Sequence, residues 1–340
     1  MKYSIIIPIY NAENYITVIV NNLLRLSYKD FEVILVNDGS KDNSLIVCKH
    51  LSKIDHRVVV VDQTNGGPSK ARNAGLDVAQ GEYILFADAD DDIHGDFLAV
   101  IDKYVTAKEA DVYCYGYLTV RSDFRGEIDM IPEEKLYATR QDILASIDEI
   151  ADSFWFNVVY DKVYKRSYLR ENNIRFDESL YLGEDRKFCL EVLKNCSSWY
   201  FIPESLYVYK IQNTNSISAK VDLNNYLQGK EVQRLYASLL EQSTLSQDTI
   251  IVKSNYELIR VCIAHFMQMF RSDMKNKWGY AKKIYMDNPV RDKNISMTSL
   301  QSRVKRITYW VWTKGGFLLV YLYSWMLYIY KFKAKLYKEG

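Results

Sequence analysis

Short apolar runs alternate with amphipathic stretches through the first ~120 residues, an order that predicts a parallel sheet with helices on both faces. The runs at 4–7, 32–36, 58–61 and 83–87 have the length and composition of buried strands. Between them, helical spacing predicts helices over 12–26 and 69–79, and a further helix after 37–40. The pattern therefore indicates an α/β domain with a mostly parallel central sheet.

Beyond that region the pattern changes twice. From ~120 to ~210 aromatic residues and loops are more frequent, which predicts extra strands at one edge of the sheet. Residues 223–300 have helical spacing with one polar side. We divide the chain into a catalytic domain over 1–220, a helical extension over 221–300, and a basic, aromatic C-terminal segment over 301–340.

Polar clusters follow two of the predicted strands. Residues 37–40 read Asn-Asp-Gly-Ser, and residues 88–92 contain four aspartates. Ligands of open parallel sheets bind beyond the carboxyl ends of the strands, so both clusters lie where a site is expected. Four neighbouring carboxylates repel one another unless a cation compensates, and hard oxygen ligands favour Mg²⁺ or Mn²⁺. The alternative is a solvated acidic turn or a helix N-cap.

Four segments resemble the family 2 glycosyltransferases, which have the GT-A fold. They are residues 4–13, 36–40, 65–75 and 86–91. The resemblance implies inverting transfer of a hexose or N-acetylhexosamine from a nucleotide diphosphate sugar, with UDP the expected nucleotide, onto an acceptor hydroxyl. It also implies a lipid-linked glycan or oligosaccharide acceptor in bacterial surface polysaccharide synthesis.

In the first three of these segments, the resemblance assigns donor contacts to five residues. Pro8, Tyr10 and Glu13 would line the pocket for the nucleotide base. Asp38 would form a hydrogen bond with that base, and Arg72 would approach the pyrophosphate. A solvated charge on a helix is the alternative for Arg72. In the same region, the glycines at 66 and 67 permit unusual backbone geometry, and the serine at 69 can cap the following helix.

The aspartate run is assigned in the same way. Asp88 would contact the ribose, and either Asp90 or Asp91 would hold the Mn²⁺ or Mg²⁺ cofactor, because the run permits either register. We interpret Asp92 as a helix N-cap.

A second acidic pair opens a predicted helix. Inverting transfer requires a base that accepts the proton of the attacking hydroxyl, and a helix N-terminus keeps such a carboxylate ionised. By resemblance Asp185 is this base and Glu184 supports it, although a plain acidic first turn is the alternative. Lys162 would face the diphosphate unless it is a surface lysine, and residues 215–217 resemble a loop that closes over the donor.

Charge and cysteine usage refine this picture. The net charge of +1 conceals an asymmetry, since residues 251–340 hold 17 Lys and Arg but 5 Asp and Glu. The apolar, Trp- and Tyr-rich segment at 307–330 is shorter in its uncharged part than a membrane span and has basic flanks. We expect it to lie on the cytoplasmic face of the cell membrane rather than to span it or to bind nucleic acid, with a core helix as the alternative. Five scattered cysteines and no secretory signal indicate a cytoplasmic body.

Other enzyme classes with similar folds lack support. A dinucleotide-binding oxidoreductase needs Gly-x-Gly-x-x-Gly after the first strand, where this chain has Pro8, and a sugar nucleotidyltransferase needs a Gly-rich, Arg-containing loop near its start. The remaining alternative is a non-catalytic nucleotide-sugar-binding or membrane-associated module of the same fold.

Overall fold

The computed structural model describes residues 1–121, 127–180, 182–211, 223–287, 300 and 302–332. The chain divides into two compact units, Met1–Thr214 and Asn215–Gly340. The strands are β1 (Tyr3–Ile9), β2 (Phe31–Asp38), β3 (Val58–Gln63), β4 (Tyr83–Phe86), β5 (Asp92–Ile93), β6 (Val112–Arg121), β7 (Glu127–Met130), β8 (Lys135–Tyr137), β9 (Lys162–Lys165) and β10 (Trp199–Ile211).

The helices of the first unit surround these strands. They are α1 (Ile16–Arg25), α2 (Ser44–Ile54), α3 (Pro68–Val78), α4 (Phe97–Ala107), α5 (Arg140–Ala145), α6 (Ile147–Ala151), α7 (Arg166–Glu171) and α8 (Glu184–Asn195), with a 3₁₀ turn at Phe154–Asn157. The second unit contains α9 (Leu223–Leu240), α10 (Gln247–Arg271), α11 (Lys277–Asp287), α12 (Arg303–Lys314) and α13 (Phe317–Phe332).

The strands form one mixed sheet in the order β3-β2-β1-β4-β9-β6-β10-β5, with β7 beside β6 and β8 beside β10. The first four strands in this order are parallel to one another, and β9 is antiparallel to both of its neighbours. Every residue of β2 is buried, as expected for an inner strand covered on both faces. The α/β fold, the mostly parallel sheet and the added edge strands are therefore as predicted.

One proline lies inside a central strand without loss of a hydrogen bond. Pro8 belongs to β1, but the pairing of β1 with β4 ends at Ile6 and Phe86. Ile6 directs its carbonyl group to β4, where it accepts from the Ala87 N–H. Because alternate residues face the same neighbour, the missing N–H of Pro8 would point past the end of β4. The strand can therefore extend beyond its neighbour and border a crevice.

The second unit is helical, as predicted for the C-terminal region. The long helix α10 lies against α9, α11, α12 and α13. Its buried side chains Phe266 and Met269 share a core with Trp312 of α12 and Val320 of α13. In the described part of the chain, none of the helices is both long and apolar enough to cross a bilayer.

Candidate active site

The loops after β1, β2 and β4 meet at one edge of the sheet because these strands are parallel. The chain passes from β1 outward to β2 and β3, and then returns to add β4 on the other side of β1. Such a change of direction opens a crevice at the carboxyl ends of the strands, where α/β proteins bind ligands. Asp38 ends β2 and Asp88 follows β4, so both side chains lie at this edge.

The three residues expected around the nucleotide base differ in exposure. Pro8 is half-buried, whereas the Tyr10 side chain is 46% exposed and available to a planar ligand. The Glu13 carboxylate accepts a hydrogen bond from the Asn43 N–H at 2.8 Å. Glu13 therefore joins the loop after β1 to the start of α2, and its contact with a base stays a prediction.

Asp38 is buried and organises the loop that precedes α3. Its Oδ1 accepts from the Gln63 side chain at 2.7 Å and the Gly66 N–H at 2.8 Å. Its Oδ2 accepts from the Gly67 N–H at 2.8 Å and the Asn65 side chain at 3.1 Å. Four donors fill the four lone-pair positions of a carboxylate. A nucleotide base would have to displace one of them, so the expected hydrogen bond with the base stays a prediction.

The loop then turns into α3 through a glycine rather than a capping serine. Gly67 precedes the helix with φ of 87°, a backbone geometry that other residues rarely adopt. The prediction that Ser69 caps α3 is wrong, because the helix begins one residue earlier, at Pro68, and Ser69 lies inside it. Proline suits the first helical position, since its missing N–H would have no partner there.

Arg72 joins two of the predicted site residues. Its Nη1 donates to Asp185 Oδ1 at 3.0 Å, and its Nη2 lies 3.2 Å from Asp88 Oδ1. The guanidinium group is buried and lies 5.3 Å from the centre of the Phe176 ring. The two carboxylates offset its burial and raise the pKa of Arg72. The alternative of a solvated helix charge is therefore wrong, and an approach to the pyrophosphate stays a prediction.

The aspartates after β4 have different surroundings. Asp88 is about a third exposed and Asp90 is exposed, but Asp91 is buried. Asp91 accepts from the Tyr207 hydroxyl at 2.9 Å and from the Lys210 N–H at 2.9 Å. Burial raises the pKa of Asp91 to about 8. Partial desolvation and the Asp88 charge raise the pKa of the more accessible Asp90. The two candidate metal ligands are thus distinguished by their accessibility.

Tyr207 has a structural role that the sequence analysis did not assign. Its hydroxyl also accepts from the Asp88 N–H at 2.9 Å, so one side chain of β10 contacts both ends of the aspartate loop. The only sequence signal was the aromatic run of this strand, which does not reveal a hydrogen-bond partner 116 positions earlier.

The interpretation of Asp92 as a helix N-cap is wrong. Asp92 forms part of β5 and accepts from the Asn22 side chain at 2.8 Å and from Lys210 Nζ at 3.0 Å. The following helix, α4, begins only at Phe97, and Asp96 is the residue before it. The short strand separates the aspartate run from that helix.

The second acidic pair begins α8, as predicted. Gly183 precedes the helix with φ of 82°, a left-handed geometry that favours glycine. Asp185 accepts from Arg72, and burial raises its pKa while Arg72 opposes the increase. Burial and the nearby Asp185 charge raise the pKa of Glu184 to about 7. Both carboxylates are therefore more basic than an exposed acid.

The prediction that Lys162 faces the diphosphate is wrong, and so is the surface alternative. Lys162 is fully buried. Its ammonium group donates to Val158 O and Asp161 Oδ1, both at 2.6 Å, and to Trp155 O at 2.5 Å. An ammonium group has three protons, so no donor remains for a ligand. The sequence does not reveal this burial because the lysine lies beside its own counter-ion at the start of β9.

Among the described residues, protein side chains alone do not form a complete metal site. Within the described ranges, no three His, Cys, Asp or Glu side chains are grouped so that they could hold an ion. The exposed Asp90 and the partly exposed Asp88 nevertheless offer hard oxygen donors at the crevice. Magnesium and manganese sites commonly use one or two carboxylates and complete their coordination with substrate phosphates and water. The donor set fits that arrangement. The predicted closing loop at 215–217 lies outside the described residues.

Known proteins resemble the chain along much of its length. Residues 4–171 match the sequence model of glycosyl transferase family 2. The uncharacterized glycosyltransferase YibD of Escherichia coli K12 is 30% identical over 276 residues, covering 77% of this chain and 79% of that protein. The uncharacterized glycosyltransferase EpsJ of Bacillus subtilis 168 is 31% identical, covering 63% and 62% of the two chains. The poly(ribitol-phosphate) beta-N-acetylglucosaminyltransferase TarS of Staphylococcus aureus is 31% identical, covering 70% and 40%.

The fold has a solved counterpart. The crystal structure of the S. aureus TarS fragment 1-349 in complex with UDP-GlcNAc has a TM-score of 0.66 at 23% identity, covering 94% of this chain and 90% of that chain. This likeness establishes the GT-A fold. The chain spans less than two thirds of EpsJ and of TarS, but more than two thirds of YibD. The family match and the relative covered along most of its length show that the chain belongs to glycosyl transferase family 2.

Proposed function

We propose that the protein transfers a sugar from a nucleotide diphosphate donor to an acceptor hydroxyl, with inversion at the sugar carbon. The observation that carries this proposal is the contact of Arg72 with both Asp88 and Asp185. One buried cation thereby brings together the residue expected at the donor ribose and the residue expected to act as base. Both lie at the edge of the sheet where ligands bind.

Asp185 would accept the proton of the attacking hydroxyl. Arg72 occupies its Oδ1, which leaves Oδ2 as the proton acceptor and fixes the plane of the carboxylate. The raised pKa of Asp185 makes it a stronger base than an exposed aspartate, while Arg72 favours its ionised form. Glu184, one residue earlier, would support Asp185 as a second carboxylate at the helix N-terminus, where negative charge is favoured.

UDP is the proposed nucleotide, and the sugar would be a hexose or N-acetylhexosamine. The solved TarS fragment binds UDP-GlcNAc, and TarS is named as a beta-N-acetylglucosaminyltransferase. The exposed Tyr10 ring beside Pro8 offers a surface for the base.

Asp90 is the proposed ligand of Mn²⁺ or Mg²⁺. Its carboxylate is exposed and forms no ion pair with any residue in the described ranges. Both oxygens of Asp91 already accept hydrogen bonds from β10, so Asp91 would anchor the loop instead. A divalent ion bound there would neutralise charge on the departing diphosphate.

A panel of nucleotide-sugars with Mn²⁺ or Mg²⁺, scored by released UDP or GDP, tests the proposal. We expect one UDP-sugar to be consumed in the presence of an acceptor and the reaction to stop when a chelator is added. Tight binding of a UDP-sugar with no release of UDP for any acceptor would favour the alternative, a non-catalytic binding module. Turnover that persists in the chelator would contradict the metal assignment.

We further propose that α12 and α13 attach the protein to an anionic membrane surface, where a lipid-linked acceptor would be reached. The exposed positions Leu318, Leu322 and Met326 lie three or four residues apart on one side of α13, and Trp325 is beside them. Trp310 of α12 is 50% exposed. Exposed arginines at 303 and 306 begin α12. An apolar helix surface with tryptophans and basic neighbours suits the headgroup region.

Vesicle flotation of the full chain tests this attachment. Replacing both Trp310 and Trp325 by serine should reduce recovery with vesicles that contain anionic lipid, because each indole contributes apolar area at the interface. Leu227→Ser, at a position 49% exposed on α9, is the matched control and should float as the wild type does. Equal flotation of the tryptophan variant would contradict the attachment.

A further inference from the structure

A fully buried ion pair lies at the start of β9. The side chains of Asp161 and Lys162 both have no solvent exposure. Lys162 donates to Asp161 and to two carbonyl groups of the preceding turn, Trp155 O and Val158 O. Asp161 Oδ2 has no hydrogen-bond partner among the described residues. A buried pair with an unpartnered oxygen is weak evidence of a stabilising role, because its desolvation is unfavourable.

The turn held by Lys162 is the surface on which α8 rests. The Cys189 thiol of α8 donates to Val158 O at 3.5 Å, the same carbonyl that accepts from the lysine. Arg186 of α8 donates to the Asn157 side chain. Cys189 lies four residues after Asp185, so the two side chains occupy the same face of the helix. The lysine, the turn and the candidate base are therefore connected through adjacent contacts.

We propose that Lys162 is a positioning residue for Asp185, acting through the 155–158 turn and through its own positive charge. This inference rests on the proposed function, since it assigns Asp185 the role of base. Lys162 touches neither donor nor acceptor. It holds the turn that supports α8, and its buried positive charge acts on the Asp185 carboxylate together with that of Arg72.

Among the described residues, five charged groups act on the Asp185 carboxylate. Arg72 and Lys162 favour its ionised form, and Asp88 disfavours it. Glu184 and Asp161 interact with it unfavourably, as their own raised pKa values reflect. Because Arg72 is already paired with Asp88, the buried lysine supplies a second cation that offsets the acidic neighbours. Removing it should leave Asp185 protonated over a wider range of pH.

Lys162→Met keeps most of the unbranched apolar stem of the side chain and removes its charge and donors. We expect kcat to fall about 10- to 100-fold, since a small displacement of a reacting group has effects of that size. The acid limb of the kcat profile should move to higher pH, and UDP affinity should stay within about twofold because the lysine does not reach the donor. Lys165→Met, which removes a surface ion pair from the same strand, is the matched control and should leave all three quantities unchanged.

Amide hydrogen exchange of α8 gives a readout that does not need turnover. We expect faster exchange at residues 186–189 in Lys162→Met, because the turn beneath the helix loses its anchor. If that variant does not fold, the double variant Asp161→Asn with Lys162→Met leaves no unpaired buried charge and tests the same anchor. Its kcat should also fall, with little movement of the acid limb.

The outcomes separate the inference from the proposed function. A wild-type protein that transfers no sugar, combined with faster α8 exchange in the variant, would remove the proposed function but keep the anchoring role. Folded variants with wild-type exchange, kcat and pH profile would overturn the inference. A tenfold loss of UDP affinity with unchanged exchange would also overturn it, because the lysine would then contact the donor.

Discussion

Replacing Arg72 by lysine is the most informative change at the crevice. The guanidinium group donates to Asp185 at 3.0 Å and to Asp88 at 3.2 Å, and a lysine keeps the charge but not the planar fork. One of the two contacts should be lost. A hydrogen bond between charged groups contributes about 1.5–3 kcal/mol, which corresponds to roughly 10- to 150-fold in rate if the contact serves only to position the base.

Solvent reduces this estimate. The Asp88 side chain is 36% exposed, so water screens its contact with Arg72. We therefore expect the lower part of the range, a decrease in kcat of about 10- to 40-fold in Arg72→Lys. Saturating donor and acceptor, with UDP release as the signal, isolate kcat from binding.

Arg175→Lys is the matched control for this experiment. Arg175 forms a two-pronged pair with Asp77 at 2.6 and 2.9 Å, but both side chains are largely exposed. Exposed pairs contribute about 0–1 kcal/mol to stability, and this one lies outside the crevice, so the turnover of Arg175→Lys should match that of the wild type. Wild-type turnover in Arg72→Lys as well would refute the role of the bridge.

Three further predictions follow from the aspartate loop and α8. Asp91→Ala should lower the free energy of unfolding by about 1–3 kcal/mol, because two donors lose their acceptor, and chemical denaturation measures it. Asp90→Ala should leave stability within about 0.5 kcal/mol but weaken activation by Mn²⁺ in the turnover assay, and the reverse assignment would exchange these effects. The folded-state pKa of Glu184, about 7, lies above its ordinary 4.5, so its stabilising contribution is lost as pH rises through 7. Glu184→Gln should therefore melt at a higher temperature than the wild type at pH 8 and not at pH 4; equal melting at pH 8 would contradict this.

The sequence predicts the first four strands and the helices between them because their signals are local. The inner strands β1, β2 and β4 are buried along nearly their whole length, as expected. The expectation of a buried strand at 58–61 is wrong, because β3 lies at the edge of the sheet and is only partly buried. The convergence of Asp38 and Asp88 at one edge follows from the parallel arrangement alone. Boundaries were less predictable: β1 extends through Pro8 to Ile9, because β4 has already ended there.

The errors at the site concern partners that are distant or hidden. Lys162 was expected at the diphosphate because its segment resembles one of the family, yet an adjacent aspartate and two carbonyl groups satisfy its three donors. Asp92 was interpreted as a cap because aspartate commonly precedes helices. Instead, it pairs with β10 as part of the short strand β5. The sequence alone could not assign Lys210 or Tyr207 to the aspartate loop, because more than a hundred residues separate each of them from that loop.

The C-terminal segment shows why apolar patterning alone leaves alternatives open. One face of α12 buries Tyr309 and Trp312 in the core of the helical unit. The opposite face exposes Ile307 and Trp310, as expected for an interfacial helix. One periodic apolar pattern therefore supplies both the buried face and the exposed face of α12, and the structure shows which residues belong to each.

The central claim is that Asp185 accepts the proton of the acceptor hydroxyl while Arg72 holds it in place. Asp185→Asn tests this most directly, since the amide oxygen can still accept from Arg72 but the amide group cannot act as the base. We predict that the rate of sugar transfer falls by about 10²- to 10⁴-fold, with UDP affinity within about threefold of the wild type. Transfer at the wild-type rate by this variant would contradict the account.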